Sequence, residues 1–126
     1  MDTIQKGNIK QIQAISLYTP NLEQSMAFYK NTFGASELFR SNQTDGSNMV
    51  GLSFIDGNTE FVLHDSESLK EPDIEVLVEN VKEFYHAHIE NEYIDWIQTP
   101  IEKPFGGHLA VMRSRIDDIV LIVVGS

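Results

Sequence analysis

The chain contains no cysteine. That absence excludes disulfides, thiolate metal sites and a cysteine nucleophile. Basic charge is also scarce, with 9 Lys and Arg against 19 Asp and Glu and a net charge of −10. The few basic residues are scattered singly, so no stripe exists to neutralise phosphates, and nucleic acid is not an expected partner. No apolar run approaches the length needed to span a bilayer, and the opening MDTIQKGNIK lacks the apolar stretch of a signal peptide. The expectation is therefore a cytoplasmic protein without a membrane partner. Also missing are a Ser-His-Asp order, a phosphate-binding glycine loop and a nucleotide fingerprint; FGGH at 105–108 is too short to count as one. What is present is a chain of 126 residues, 41% hydrophobic, the size of one domain or of two small modules sharing a core.

The stretch IQAISLYTPNLEQSMAFYK, residues 12–30, reads as a strand, a stop and an amphipathic helix. Ile12 to Thr19 alternates and is rich in β-formers, and Pro20 ends it because proline cannot donate to a ladder. Asn21 has the form of an N-cap with Gln24 in the capping-box position. Leu22, Met26, Tyr29 and Phe33 recur at helical spacing, and Gly34 is the expected C′ residue. Strands are then expected at 36–41, 49–55 and up to His64, joined by the turn-rich segments NQTDGSN and IDGN. The polar segment DSESLKEP, residues 65–72, reads as a linker, and the first ten residues as a frayed polar arm.

The second half repeats the first. Asp73 to Val78 alternates, Asn80 is a second N-cap with Glu83 three residues on, and Val81, Phe84, Tyr85 and His88 form the helical stripe. Strands follow at 94–97, 109–113 and 119–124, with TPIEKPFGG as a loop. Superposing Asn21 on Asn80 places Ile15 on Ile74, Leu17 on Val76, Thr19 on Val78 and Leu22 on Val81. A repeated unit is the natural description of such a chain. In each repeat one helix covers one face of a four-stranded sheet, and the helix-free faces must be buried or line a cavity.

With TPNLEQSMAFYKNTFG, NTEFVLH and IQTPIEKPFGGHLAVMRS in this order, the chain resembles the vicinal oxygen chelate superfamily, which groups glyoxalase I, bleomycin-resistance proteins, extradiol dioxygenases and fosfomycin-resistance enzymes. The resemblance runs from about Ile12 to Val124 and is nearest in pattern to bleomycin-resistance-like members. It implies an α+β fold: one domain over 1–126, made of a βαβββ module at 11–64, the linker at 65–72 and a second βαβββ module at 73–124. Their curled mixed sheets would surround a ligand groove, commonly in a homodimer.

Metal-using members of that superfamily place ligands on the inward faces of the first and fourth strand of each module. Carried over, the first-strand position falls on Ala14 and its repeat partner on Asp73, while the fourth-strand positions fall nearest Glu60 and on Leu121. Two of the four have no donor atom, and the usual Asp-Pro-Asp-Gly turn before the last strand is replaced by SRIDD. A catalytic zinc site normally needs three protein ligands. The expectation is no tightly bound cofactor, and at most a weak divalent ion on Glu60 and Asp73, with Glu75 as a substitute donor. His86 and His88 lie two apart on a helix and do not share a face.

The residues expected to line the groove are Ala14, Ser16, Tyr18, Glu60, Glu75, Trp96, Phe105 and His108. Aromatic rings would supply flat walls, and carboxylates would favour a cationic or hydrogen-bond-donating ligand. Packing is the blander role for Trp96, solvation for Glu60 and Glu75, and an exposed strand start for His108. The expected function is metal-independent binding of a small, cationic or aromatic molecule. The alternatives are a metal-dependent lyase, isomerase or dioxygenase-related enzyme with an atypical site, and a structural or regulatory module with a closed groove. No catalytic residue is assigned.

Overall fold

The structure is a computed structural model, and residues 6–126 are described. These residues form β1 (Ile9–Tyr18), α1 (Leu22–Phe33), β2 (Ser36–Asn42), β3 (Asn48–Ser53), β4 (Glu60–His64), β5 (Asp73–Val78), α2 (Val81–His88), β6 (Ile94–Glu102), β7 (His108–Ser114) and β8 (Val120–Gly125). They fall into two compact units, residues 13–73 and a second that joins the chain up to Ile12 with residues 74–126. The fold is α+β, and the order βαβββ occurs twice.

In the first-half unit the strands run in the order β2-β3-β4-β1, with β1 parallel to β4 and the other pairs antiparallel. Asn21 caps α1 by accepting the Gln24 N–H at 3.0 Å, and Gly34 ends the helix at φ 76°, a conformation glycine adopts without a Cβ clash. Leu22 and Met26 from α1 bury against Val50, Leu52 and Leu63, with Leu17, Tyr29 and Phe61 packed around them. Since side chains alternate along a strand, this core fixes both faces of the sheet. Ile15, Leu17, Phe61 and Leu63 turn toward α1, whereas Ala14, Ser16, Tyr18, Glu60, Val62 and His64 turn away from it.

The second-half unit runs β5-β8-β7-β6, with β5 parallel to β8. Asn80 caps α2 by accepting the Glu83 N–H at 3.0 Å. Val81 and Phe84 pack on Val76, Val78, Ala110, Met112 and Val123. His88 is part of this stripe: its ring lies 4.7 Å from that of Phe84, and Nε2 meets the Gly7 carbonyl at 2.8 Å.

Element ends differ from the sequence expectation by more than a residue at β1, β3 and β6. Residues 1–5 of the expected frayed arm lie outside the described residues, but the strand already begins at Ile9. β3 stops at Ser53, because the Gly57 N–H donates to the Phe54 carbonyl and closes the turn early, leaving Ile55 97% exposed. β6 runs through Pro100 to Glu102; it lies at the sheet edge with register shifts around Gln98, where a missing N–H costs least. Among the described residues no helix is long and apolar enough to cross a membrane.

Candidate ligand site

The helix-free face of the first-half unit carries a cluster of polar side chains. Ala14 and Glu60 are direct partners in the β1–β4 ladder, so a methyl group that is 3% exposed stands beside the Glu60 carboxylate. Ser16 pairs with Val62 and Tyr18 with His64. On β3, Met49 lies opposite His64 and Gly51 opposite Val62, with Phe39 of β2 across from Gly51.

The segment 65–72 is a strap bound back onto this face. The Ser66 N–H donates to His64 Nδ1 at 3.2 Å, and the Ser66 hydroxyl donates to Asp45 Oδ2 at 2.6 Å. Tyr18 donates its hydroxyl to Glu67 at 2.8 Å, and Lys70 Nζ stands 5.3 Å from the centre of the Tyr18 ring. The Glu67 hydrogen bond raises the Tyr18 phenol above its ordinary value and lowers the Glu67 carboxyl. Under the strap lies a small cavity of about 60 Å³ lined by Ser16, Gln43, Met49, His64, Ser66, Leu69 and Asp73. His64 is 4% exposed. Burial pushes the Asp73 carboxyl above the usual carboxylate range, and the nearby His64 partly opposes this.

Asp45 is the strap's anchor. Its carboxylate accepts from the Ser47 hydroxyl, the Ser66 hydroxyl and the Ser47 N–H, and these bonds bring it down to about 2. A lowered carboxyl stabilises the fold above its unfolded value, and that contribution disappears as pH falls through about 2. An NMR titration of the Ser47 amide is therefore expected to show one step centred near pH 2 that is absent in Asp45→Asn. A step at the ordinary carboxylate value of about 3.9 would contradict this anchoring.

The structure brings together only part of the expected groove lining. Ala14, Ser16, Tyr18 and Glu60 share the helix-free face of the first-half unit, and Asp73 joins Ser16 at the cavity. Glu75 pairs with Ile122 on the helix-free face of the second-half unit. Trp96 is placed differently: it packs on the α2 core, 4.9 Å from Tyr85 and 6.3 Å from Phe84 between ring centres. His108 shares the parity of Ala110 and Met112, which also face α2. Phe105 is 102% exposed in the β6–β7 loop, so its ring forms no wall within the unit. Leu121 pairs with Ile74 and packs toward α2, so the β8 residues of the opposite face are Val120 and Ile122. Gln43, Met49 and Leu69 carry no signal as lining in the sequence; Met49 and His64 reach this face through the β3–β4–β1 register, and Leu69 reaches it because the strap folds back.

The sequence profile of the Glyoxalase/Bleomycin resistance protein/Dioxygenase superfamily matches residues 11–121. The chain belongs to this superfamily. No curated protein sequence matches it significantly. Solved structures with the same fold include methylmalonyl-CoA epimerase from Mycobacterium tuberculosis, at a TM-score of 0.74 and 9% identity over 98% of this chain and 92% of that one. A hypothetical protein from Bacillus halodurans C-125 gives 0.73 and 15% over 92% and 94%. A Streptomyces coelicolor methylmalonyl-CoA epimerase in complex with 2-nitronate-propionyl-CoA gives 0.71 and 14% over 94% and 99%. At such identities the likeness is one of fold.

The residues of this superfamily member do not fit a tightly held divalent ion. Ala14 has no donor. Glu60 and Asp73 remain, short of the three protein ligands that a catalytic zinc site normally uses. Among the described residues no group of three or more His, Asp or Glu side chains is placed to hold one ion.

Proposed function

We propose that the protein binds a small organic molecule on the helix-free face of the first-half unit, without the help of a tightly held metal. The Ala14–Glu60 pair carries this reading. A buried methyl beside a single carboxylate removes the converging donors a Lewis acid needs, yet keeps a charged acceptor for a ligand. Tyr18, Phe39 and Met49 on the same face supply apolar area, and Ser16, His64 and Asp73 supply polar contacts. A net charge of −10 favours a ligand that is cationic or donates hydrogen bonds.

A thermal-shift screen of cationic and aromatic compounds, run in chelator, tests the reading. At least one compound is expected to raise Tm, and Glu60→Gln should weaken its binding about tenfold or more, as expected for a hydrogen bond to a charged group. No shift across the panel, or shifts indifferent to Glu60→Gln, would count against it.

A further inference from the structure

The cavity beneath the strap has a donor–acceptor polarity that narrows the ligand's chemistry, on the reading that this face binds a small molecule. His64 Nδ1 accepts the Ser66 N–H at 3.2 Å, so a neutral His64 ring must carry its proton on Nε2. The ring's remaining polar atom is then a donor. Asp73, which also lines the cavity, has a carboxylate, whose oxygens accept. Ser16 adds a hydroxyl that can do either. The Gln43 amide NH₂ is directed to Ser41 Oγ at 3.4 Å and Met49 Sδ at 3.3 Å. The side walls are apolar, formed by Met49 and Leu69.

We propose that this cavity is a subsite for a primary carboxamide, or the amide edge of a small heterocycle, whose carbonyl accepts from His64 and whose N–H donates to Asp73. The size agrees: about 60 Å³ is room for a group equivalent to about two waters, and too little for a whole metabolite. The polarity discriminates further. A carboxylate would meet Asp73 as a like charge, and an ammonium would meet the donor of His64 without an acceptor for it. A carboxamide has its acceptor and donor side by side and satisfies both groups. Burial raises Asp73 above the usual carboxylate range, so keeping it here costs stability, as is common where a polar group serves a ligand.

The test uses acetamide as probe on the full chain, followed by NMR of the ¹⁵N-labelled histidine side chains. Saturable binding with a dissociation constant on the order of 10 mM is expected for so small a ligand. The His64 resonance should move and those of His86 and His88 should not. N,N-dimethylacetamide, which has no N–H, should bind at least tenfold more weakly, as should acetate. Asp73→Ala should abolish acetamide binding. Ser16→Val, which fills the cavity and suits a strand, should do the same should Asp73→Ala fail to fold. Equal binding of acetamide and dimethylacetamide, or acetamide binding unchanged by Ser16→Val, would overturn the subsite. If acetamide fails while a screened compound still binds in a Glu60-dependent manner, the subsite is wrong and the binding function stands. If both fail, the binding function falls with it.

Discussion

Replacing Phe84 by alanine is expected to cost the second-half unit about 3–5 kcal/mol. The side chain is 2% exposed and sits where α2 meets its sheet, among Val76, Val78, Ala110, Met112 and Val123. It also orders two neighbouring rings, His88 at 4.7 Å and Trp96 at 6.3 Å between centroids. Truncation removes the transfer free energy of the ring and leaves a cavity that strands on the far side cannot collapse to fill. A helix of eight residues has little stability of its own, so its docking depends on this contact. Urea unfolding followed by the fluorescence of Trp96, the chain's one tryptophan, provides the measurement. A lower midpoint with unchanged slope is expected; a loss below about 1 kcal/mol would show that Phe84 is not the keystone of this core.

Gly51→Ala is expected to destabilise the first-half unit by about 1–3 kcal/mol, an unusual cost for one methyl group. Gly51 is buried at the centre of β3, and a Cβ built there would overlap the Phe39 ring. The clash is with the half-buried ring of Phe39 from the edge strand β2, which must shift to admit the methyl group. The double variant Gly51→Ala/Phe39→Ala should recover much of the loss, because relief of a shared clash makes the two changes non-additive. Simple additivity in urea titrations would contradict this explanation. Because Phe39 and Gly51 lie on the face that carries Glu60 and His64, the single variant should also weaken any ligand bound there.

The sequence was most legible where local chemistry and periodicity coincide. Asn21 and Asn80 announce both helices, and each side chain accepts the N–H three residues on. The alternation in β1 correctly separates Ile15 and Leu17, which face α1, from Ala14, Ser16 and Tyr18. Legibility fails where parity is interrupted. Trp96 pairs with Met112 of the α2 core and so faces α2, a placement set by the β6–β7 register, which the sequence of β6 alone does not reveal. Leu121, carried over by resemblance, pairs with Ile74 and faces α2, because a one-residue offset along a strand transfers a side chain to the other face. The cavity at His64 was hidden for a different reason. Its lining spans Ser16 to Asp73, and hydrogen bonds of Asp65, Ser66 and Tyr18 bring residues 65–72 back to close it. Polar linker composition gives no sign of such a return.

On the proposed function, Glu60 and its neighbours hold an organic ligand directly, beside an Ala14 that has no donor for a metal. The most direct test is calorimetric titration of a compound found in the screen, before and after exhaustive treatment with EDTA, with elemental analysis of the same protein samples. Far less than one equivalent of divalent metal per chain is expected, with a dissociation constant unchanged by EDTA. Near-stoichiometric metal, with binding lost in EDTA and restored by zinc or cobalt, would contradict the proposed function.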